Sequence, residues 1–146
     1  MTQRITPFLW FDDNAEEAMS FYTSLFPNSS YRMVNPMGGT FILDGQEFQV
    51  LNGGPMFKFT EAISLFVRAD TQDEIDRLWD ALTADGGEPS RCGWLKDRYG
   101  LSWQIVPPIL GELLGDPDPA VAERVMQAML TMNKLDISAL EAARDG

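Results

Sequence analysis

The chain repeats one chemical pattern at a long interval. Displacing it by 57 positions lays Asp13 on Asp70, Asn14 on Thr71, Glu17 on Glu74, Phe21 on Leu78, Tyr22 on Trp79 and Leu25 on Leu82, and such an echo confines the fold to copies of one unit. Asn14-x-x-Glu17 and Thr71-x-x-Glu74 both have capping-box spacing. In that motif the first side chain accepts a bond from a free N–H of the first helical turn, and the Glu reaches back. Behind each cap, apolar residues recur at helical intervals: Ala18, Phe21, Tyr22 and Leu25, then Ile75, Leu78, Trp79 and Leu82. Pro27-Asn28 and Asp85-Gly86-Gly87 end the two helices.

Each helix follows a run rich in aromatic and branched side chains, Ile5 to Phe11 and Ala62 to Arg68, which reads as a strand. Ser30 to Val34, Gly39 to Leu43 and Glu47 to Leu51 read as three further strands, with Asp44-Gly45 as a tight hairpin turn. Their counterparts in the second copy are Glu88 to Ser90, Cys92 to Lys96 and Leu101 to Val106, with Asp97-Arg98-Tyr99-Gly100 as the last turn. Beyond Pro107-Pro108 the pattern becomes helical. Asp118-Pro119 is an N-cap and first-turn pair ahead of Val121, Ala122, Val125, Met126, Met129 and Leu130, and a last short helix follows Asp136. The expected organisation is one α+β domain, residues 1–146, of tandem βαβββ units: 5–53, a connector at 54–61, 62–107, and a C-terminal helical extension at 108–146.

At 146 residues and 45% hydrophobic content, the chain carries enough apolar material to bury about two-thirds of its unfolded surface. Twenty-two acidic residues against 11 basic ones give a net charge of −11, which repels phosphate backbones and argues against a nucleic-acid partner. No run reaches the roughly 18 apolar residues of a membrane span, and the segment from Met1 to Pro7 lacks the build of a leader peptide. The one cysteine, Cys92, has no internal partner, so a reducing compartment and a cytoplasmic protein are expected. Histidine is absent, which removes the commonest base near neutral pH and the commonest transition-metal ligand together.

Several segments add a family resemblance. The run Pro7 to Ala18, Phe21-Tyr22, Leu43-Asp44-Gly45-Gln46, Asn52-Gly53-Gly54-Pro55, Trp94-Leu95-Lys96-Asp97 and Gly100-Leu101-Ser102-Trp103-Gln104 resemble the PhnB-like branch of the vicinal oxygen chelate superfamily. Asp116-Pro117-Asp118-Pro119 and Val125 to Met129 resemble members labelled 3-demethylubiquinone-9 3-methyltransferase. The resemblance covers nearly the whole chain. It implies the glyoxalase/bleomycin-resistance/dioxygenase fold, curved sheets around a cavity, and homodimers. The label also implies S-adenosylmethionine chemistry, although no Gly-rich strand-to-helix turn of a Rossmann unit is present.

Metal-dependent relatives carry ligands, usually His and Glu, on the first strand of each half and on the last strand. At those places this chain offers Thr6-Pro7-Phe8, Ala62-Ile63 and Gln104, and Met56 stands where close relatives carry His. No metal and no cofactor are therefore expected. Cys92 is read as an inert thiol, since no His is available to activate it. Asp12, Asp13 and Asp97 are read as helix-start and turn residues rather than an acid–base pair. The expected ligand-binding residues are Phe8, Trp10, Asn52, Met56, Phe57, Trp94, Trp103 and Gln104, with Phe59 beside them. An aromatic wall with a few amides suits a small apolar or aromatic molecule. The Met126, Met129, Met132 stripe is read as the packing face of an amphipathic helix. Four functions stay open: a metal-free binding protein, a lyase, dioxygenase or isomerase with atypical ligands, a methyltransferase, and a dimeric interaction module.

Overall fold

The computed structural model describes residues 4–146; Met1, Thr2 and Gln3, the head of the segment read for a leader, lie outside the described residues. The chain forms two compact units, Met1–Phe59 and Thr60–Gly146, and the break falls inside the expected 54–61 connector. Each unit is described by itself.

The first unit runs β1 (Phe8–Phe11), α1 (Ala15–Leu25), β2 (Ser30–Asn35), β3 (Gly38–Leu43) and β4 (Gln46–Asn52). Its sheet has the order β1-β4-β3-β2, with β1 parallel to β4 and the other pairs antiparallel. Asp44 and Gly45 both have positive φ, the conformation of a two-residue hairpin turn. The expected strand start at Ile5 moves to Phe8. The Pro7 carbonyl accepts the Gln49 N–H at 3.0 Å, but proline has no N–H with which to continue the ladder.

Helix α1 packs on β2, β3 and β4, and under it lie buried Leu9, Phe11, Phe41, Phe48 and Val50. Phe41 stacks on Phe48 with centroids 4.7 Å apart, and Tyr22 lies 6.0 Å from Phe41. The buried stripe is Ala15, Ala18, Met19 and Tyr22, one turn earlier than the expected one. The capping box is also absent here. Asn14 makes no side-chain cap; instead Asn52, at the end of β4, accepts the Ala15 N–H at 2.8 Å, which ties the first turn of the helix to the sheet.

The second unit repeats this plan with β5 (Ser64–Arg68), α2 (Gln72–Thr83), β6 (Glu88–Pro89), β7 (Trp94–Lys96) and β8 (Ser102–Val106), ordered β5-β8-β7-β6 with β5 parallel to β8. Here the cap follows the spacing: Thr71 Oγ accepts the Glu74 N–H at 3.2 Å. Ile75, Leu78, Trp79 and Leu82 are all buried. Strand β7 begins at Trp94 rather than Cys92, because Cys92 and Gly93 have left-handed backbones. Their N–H groups turn to the carbonyls of Met132 and Asn133, each at 2.8 Å.

Those two bonds hold the C-terminal extension, α3 (Pro108–Leu114), α4 (Pro119–Leu130) and α5 (Ile137–Asp145). Asp118 caps α4 through the Ala120 N–H, and Asp136 caps α5 through the Ala139 N–H. Val106, Leu110, Leu113, Val125, Leu135 and Leu140 form its core, with Met129 and Met132 packed against them; Met126 stays exposed. Among the described residues, no helix is long and apolar enough to cross a membrane.

Candidate functional site

Successive side chains on a strand point to opposite faces. A sheet covered by a helix on one face therefore presents every second residue on the other. In the first unit the register places Phe8 and Trp10 of β1, Gln49 and Leu51 of β4, and Thr40 and Ile42 of β3 on this open face. Phe8 is 56% exposed. Trp10 is half-buried; its indole N–H donates to the Gly54 carbonyl at 2.9 Å, and Phe57 packs edge-on against it at 4.9 Å. Phe8, Trp10 and Phe57 are thus an aromatic group supported on one strand.

Other expected residues of this unit lie elsewhere. Asn52 pairs with Phe11 on the helix side and is occupied as the cap of α1. Phe59 packs edge-on against Phe11 at 5.4 Å. Met56, 76% exposed, sits in the connector. Asn52 also lines a cavity of about 610 Å³ at the start of α1, with Asp13, Glu16, Glu17, Met33 and Asn35.

In the second unit the open face carries Ser64 and Phe66 of β5, Ser102 and Gln104 of β8, and Trp94 and Lys96 of β7. Gln104 lies between Phe66 and Trp94 as cross-strand neighbours, and its amide donates to Ser64 Oγ at 2.9 Å. Ser102 lies in the next row, between Ser64 and Lys96. Lys96 is ion-paired with Glu61. Their hydrogen bond, then their mutual charge, holds the ammonium above its ordinary range and the carboxylate below it. Trp94, Lys96, Ser102, Glu61, Glu88 and Ser90 line a cavity of about 300 Å³.

Trp103, expected beside Trp94, points to the other face and is fully buried. One position of strand alternation separates it from Gln104. Its indole N–H donates to Asp97 Oδ2 at 2.9 Å, while Asp97 Oδ1 accepts the N–H groups of Tyr99 and Leu101 at 2.8 and 3.0 Å. This turn carboxylate is a buried acceptor that fixes the β7–β8 hairpin to the core. The half-buried Cys92 thiol faces the Met129 carbonyl at 3.6 Å, a weak contact within the clamp on the C-terminal extension. Sequence reading missed Phe66, Ser64, Ser102 and Lys96. The signal was period-two spacing, Ser64/Phe66 and Ser102/Gln104, but only strand register shows that the two series share a face.

A divalent ion of the kind the superfamily resemblance implies needs donors on β1, β5 and β8. Their open faces present Phe8, Trp10, Ser64, Phe66, Ser102 and Gln104, without a carboxylate or imidazole, and they do not fit it. Among the described residues, no group of three or more His, Cys, Asp or Glu stands ready for a metal ion.

Residues 3–106 match the 3-demethylubiquinone-9 3-methyltransferase family. The chain belongs to this family. The PhnB protein of Bacillus cereus is 38% identical to it, with a TM-score of 0.64, over 72% of this chain and 99% of that one. Protein PA1353 of Pseudomonas aeruginosa is 21% identical (TM-score 0.60; 73% and 98% covered). The fosfomycin resistance protein FosX of Listeria monocytogenes, solved with Mn(II) and sulfate, is 14% identical (TM-score 0.56; 78% and 97% covered). With the glyoxalase/bleomycin resistance protein of Albidiferax ferrireducens, 18% identical (TM-score 0.51; 72% and 99% covered), these likenesses show that the chain has the glyoxalase/bleomycin-resistance fold. No curated protein matches the chain. The family match ends at residue 106, immediately before the C-terminal helices.

Proposed function

We propose that the protein binds a small apolar or aromatic molecule on its open sheet faces without a catalytic divalent metal. The observation that carries this reading is the row Phe66–Gln104–Trp94, continuous across three strands, with Phe66 62% exposed. An exposed ring, Phe66, and a half-buried one, Trp94, thus share one face, and grouped aromatics mark contact surfaces, whereas single exposed ones are ordinary. An amide among them orients a ligand that the rings hold. Phe8, Trp10 and Phe57 repeat the motif in the first unit.

A thermal-shift panel of phenols, naphthols, indoles and flavones, run once with EDTA and once with manganese, tests it. A ligand at about 100 times its Kd adds roughly 2.7 kcal/mol, a readily measured rise in Tm. The expected result is stabilisation by at least one aromatic, equal in both buffers. Stabilisation by none would sink the binding reading, and stabilisation only with manganese would sink its metal-free part.

We further propose that the working form is a homodimer. The family resemblance supports this, as do the exposed Tyr31, Val34 and Met37 around the edge strand β2. Sedimentation should give twice the 16.4 kDa chain mass; a monomer at micromolar concentration would refute it.

A further inference from the structure

The least satisfied polar atom on the open face of the second sheet is the Ser102 hydroxyl. The residue is 1% exposed, and among the described residues its Oγ has no hydrogen-bond partner. A buried hydroxyl without a partner costs stability, so such groups are rare unless another species completes them. Ser102 is also one of the residues lining the 300 Å³ cavity with Trp94, Lys96, Glu61 and Glu88. Neighbouring Ser64 is already satisfied by the Gln104 amide, which leaves Ser102 as the unassigned group.

The rest of the cavity narrows the ligand. Its volume is at the lower limit of small-molecule sites, so it takes about one ring, and Trp94 supplies a flat wall. Two carboxylates, Glu61 and Glu88, face one ammonium, Lys96, which Glu61 already engages. A ligand carboxylate would meet net negative charge, and a ligand ammonium would meet Lys96 beside Ser102. A neutral hydroxyl avoids both, and it can donate to Ser102 Oγ or accept from it. Access is inexpensive. The charged neighbour of Ser102 across the strands is Lys96, whose pair with Glu61 is partly exposed, at 38% and 63%, and exposed pairs of this kind break at little cost.

Resting on the binding reading above, we propose that Ser102 anchors the hydroxyl of a neutral, single-ring, phenol-class ligand seated against Trp94, and that this cavity selects it over the matching carboxylate.

Titration calorimetry of the full chain with phenol, toluene and benzoate tests this. Phenol should bind about fivefold tighter than toluene, the ratio of one net hydrogen bond, and benzoate should bind weakest. Ser102→Ala should erase the preference for phenol, leave toluene unchanged and leave the Tm of the free protein unlowered, since no bond is lost. Trp94→Ala should weaken phenol and toluene alike. The proposal is overturned if phenol fails to bind, if benzoate binds as well as phenol, or if Ser102→Ala keeps the preference. A fall in Tm for free Ser102→Ala would also overturn it, because the hydroxyl would then belong to the fold. Failure here with stabilisation by a naphthol or indole leaves the broader binding reading standing; failure of the whole panel removes both.

Discussion

Asp97→Ala is expected to lower stability by roughly 3–5 kcal/mol, seen as a fall in Tm of about 10 °C. The carboxylate is 2% exposed and accepts three N–H groups, those of Tyr99, Leu101 and the Trp103 indole. Truncation removes the acceptor from the buried Leu101 and Trp103 donors and the part-buried Tyr99 N–H, and a buried unmade bond costs about 1–3 kcal/mol. Asp97→Asn keeps the volume and one acceptor oxygen but turns an amide NH₂ toward one donor, so it should lose about half as much. A double-mutant cycle with Trp103→Phe isolates the indole bond. Thermal denaturation followed by near-ultraviolet circular dichroism reads all of these. A Tm within a few degrees of the parent for Asp97→Ala would show that the turn is not held by its carboxylate.

The second large effect is at the clamp on the C-terminal helices. Gly93→Ala places a Cβ 2.9 Å from Leu135 Cδ1 and 3.0 Å from the Ile105 carbonyl, on a backbone with φ of +87°. The expected cost is about 2–4 kcal/mol, from left-handed strain and overpacking together. Gly100→Ala separates the two causes. It has the same φ of +87°, but nothing lies within 4 Å of its Cβ, so it should cost about 1 kcal/mol from strain alone. Because Gly93 and Cys92 bind the carbonyls of Asn133 and Met132, the damage should be local. Trypsin should cut after Lys134 faster in Gly93→Ala than in Gly100→Ala. Equal stability and equal cutting in the two variants would rule out a docking role for Gly93.

Much of the fold was legible because its determinants are local. Thr71, Asp118 and Asp136 cap helices through N–H groups two or three residues away, a distance at which spacing alone identifies a cap. The stripe Ile75, Leu78, Trp79, Leu82 lies within one helix, and the Asp44-Gly45 turn joins adjacent strands. The 57-residue echo therefore predicted two like units, and the structure has two sheets of like order. The poverty of donor types at the expected ligand positions was likewise a property of composition, because a chain without histidine cannot place one.

The site was less legible. Asn52 stands among the expected ligand contacts because an amide at a strand end is hard to explain as core, yet it caps a helix 37 residues earlier, a bond no local pattern encodes. It takes the role that spacing assigned to Asn14. Trp103 and Gln104 are adjacent in sequence, so pattern alone cannot say which meets solvent. The pairing of β8 with β5 and β7 decides it, and a slip of one residue would exchange them. The same pairing leaves Ser102 buried and unpartnered while Ser64 is satisfied. The sequence by itself determined the two like units, the caps of three helices and the lack of any imidazole, since these follow from near neighbours or from composition. Only the tertiary structure decided which side chains share a face and which polar groups lack a partner, because both depend on register between strands distant in the chain.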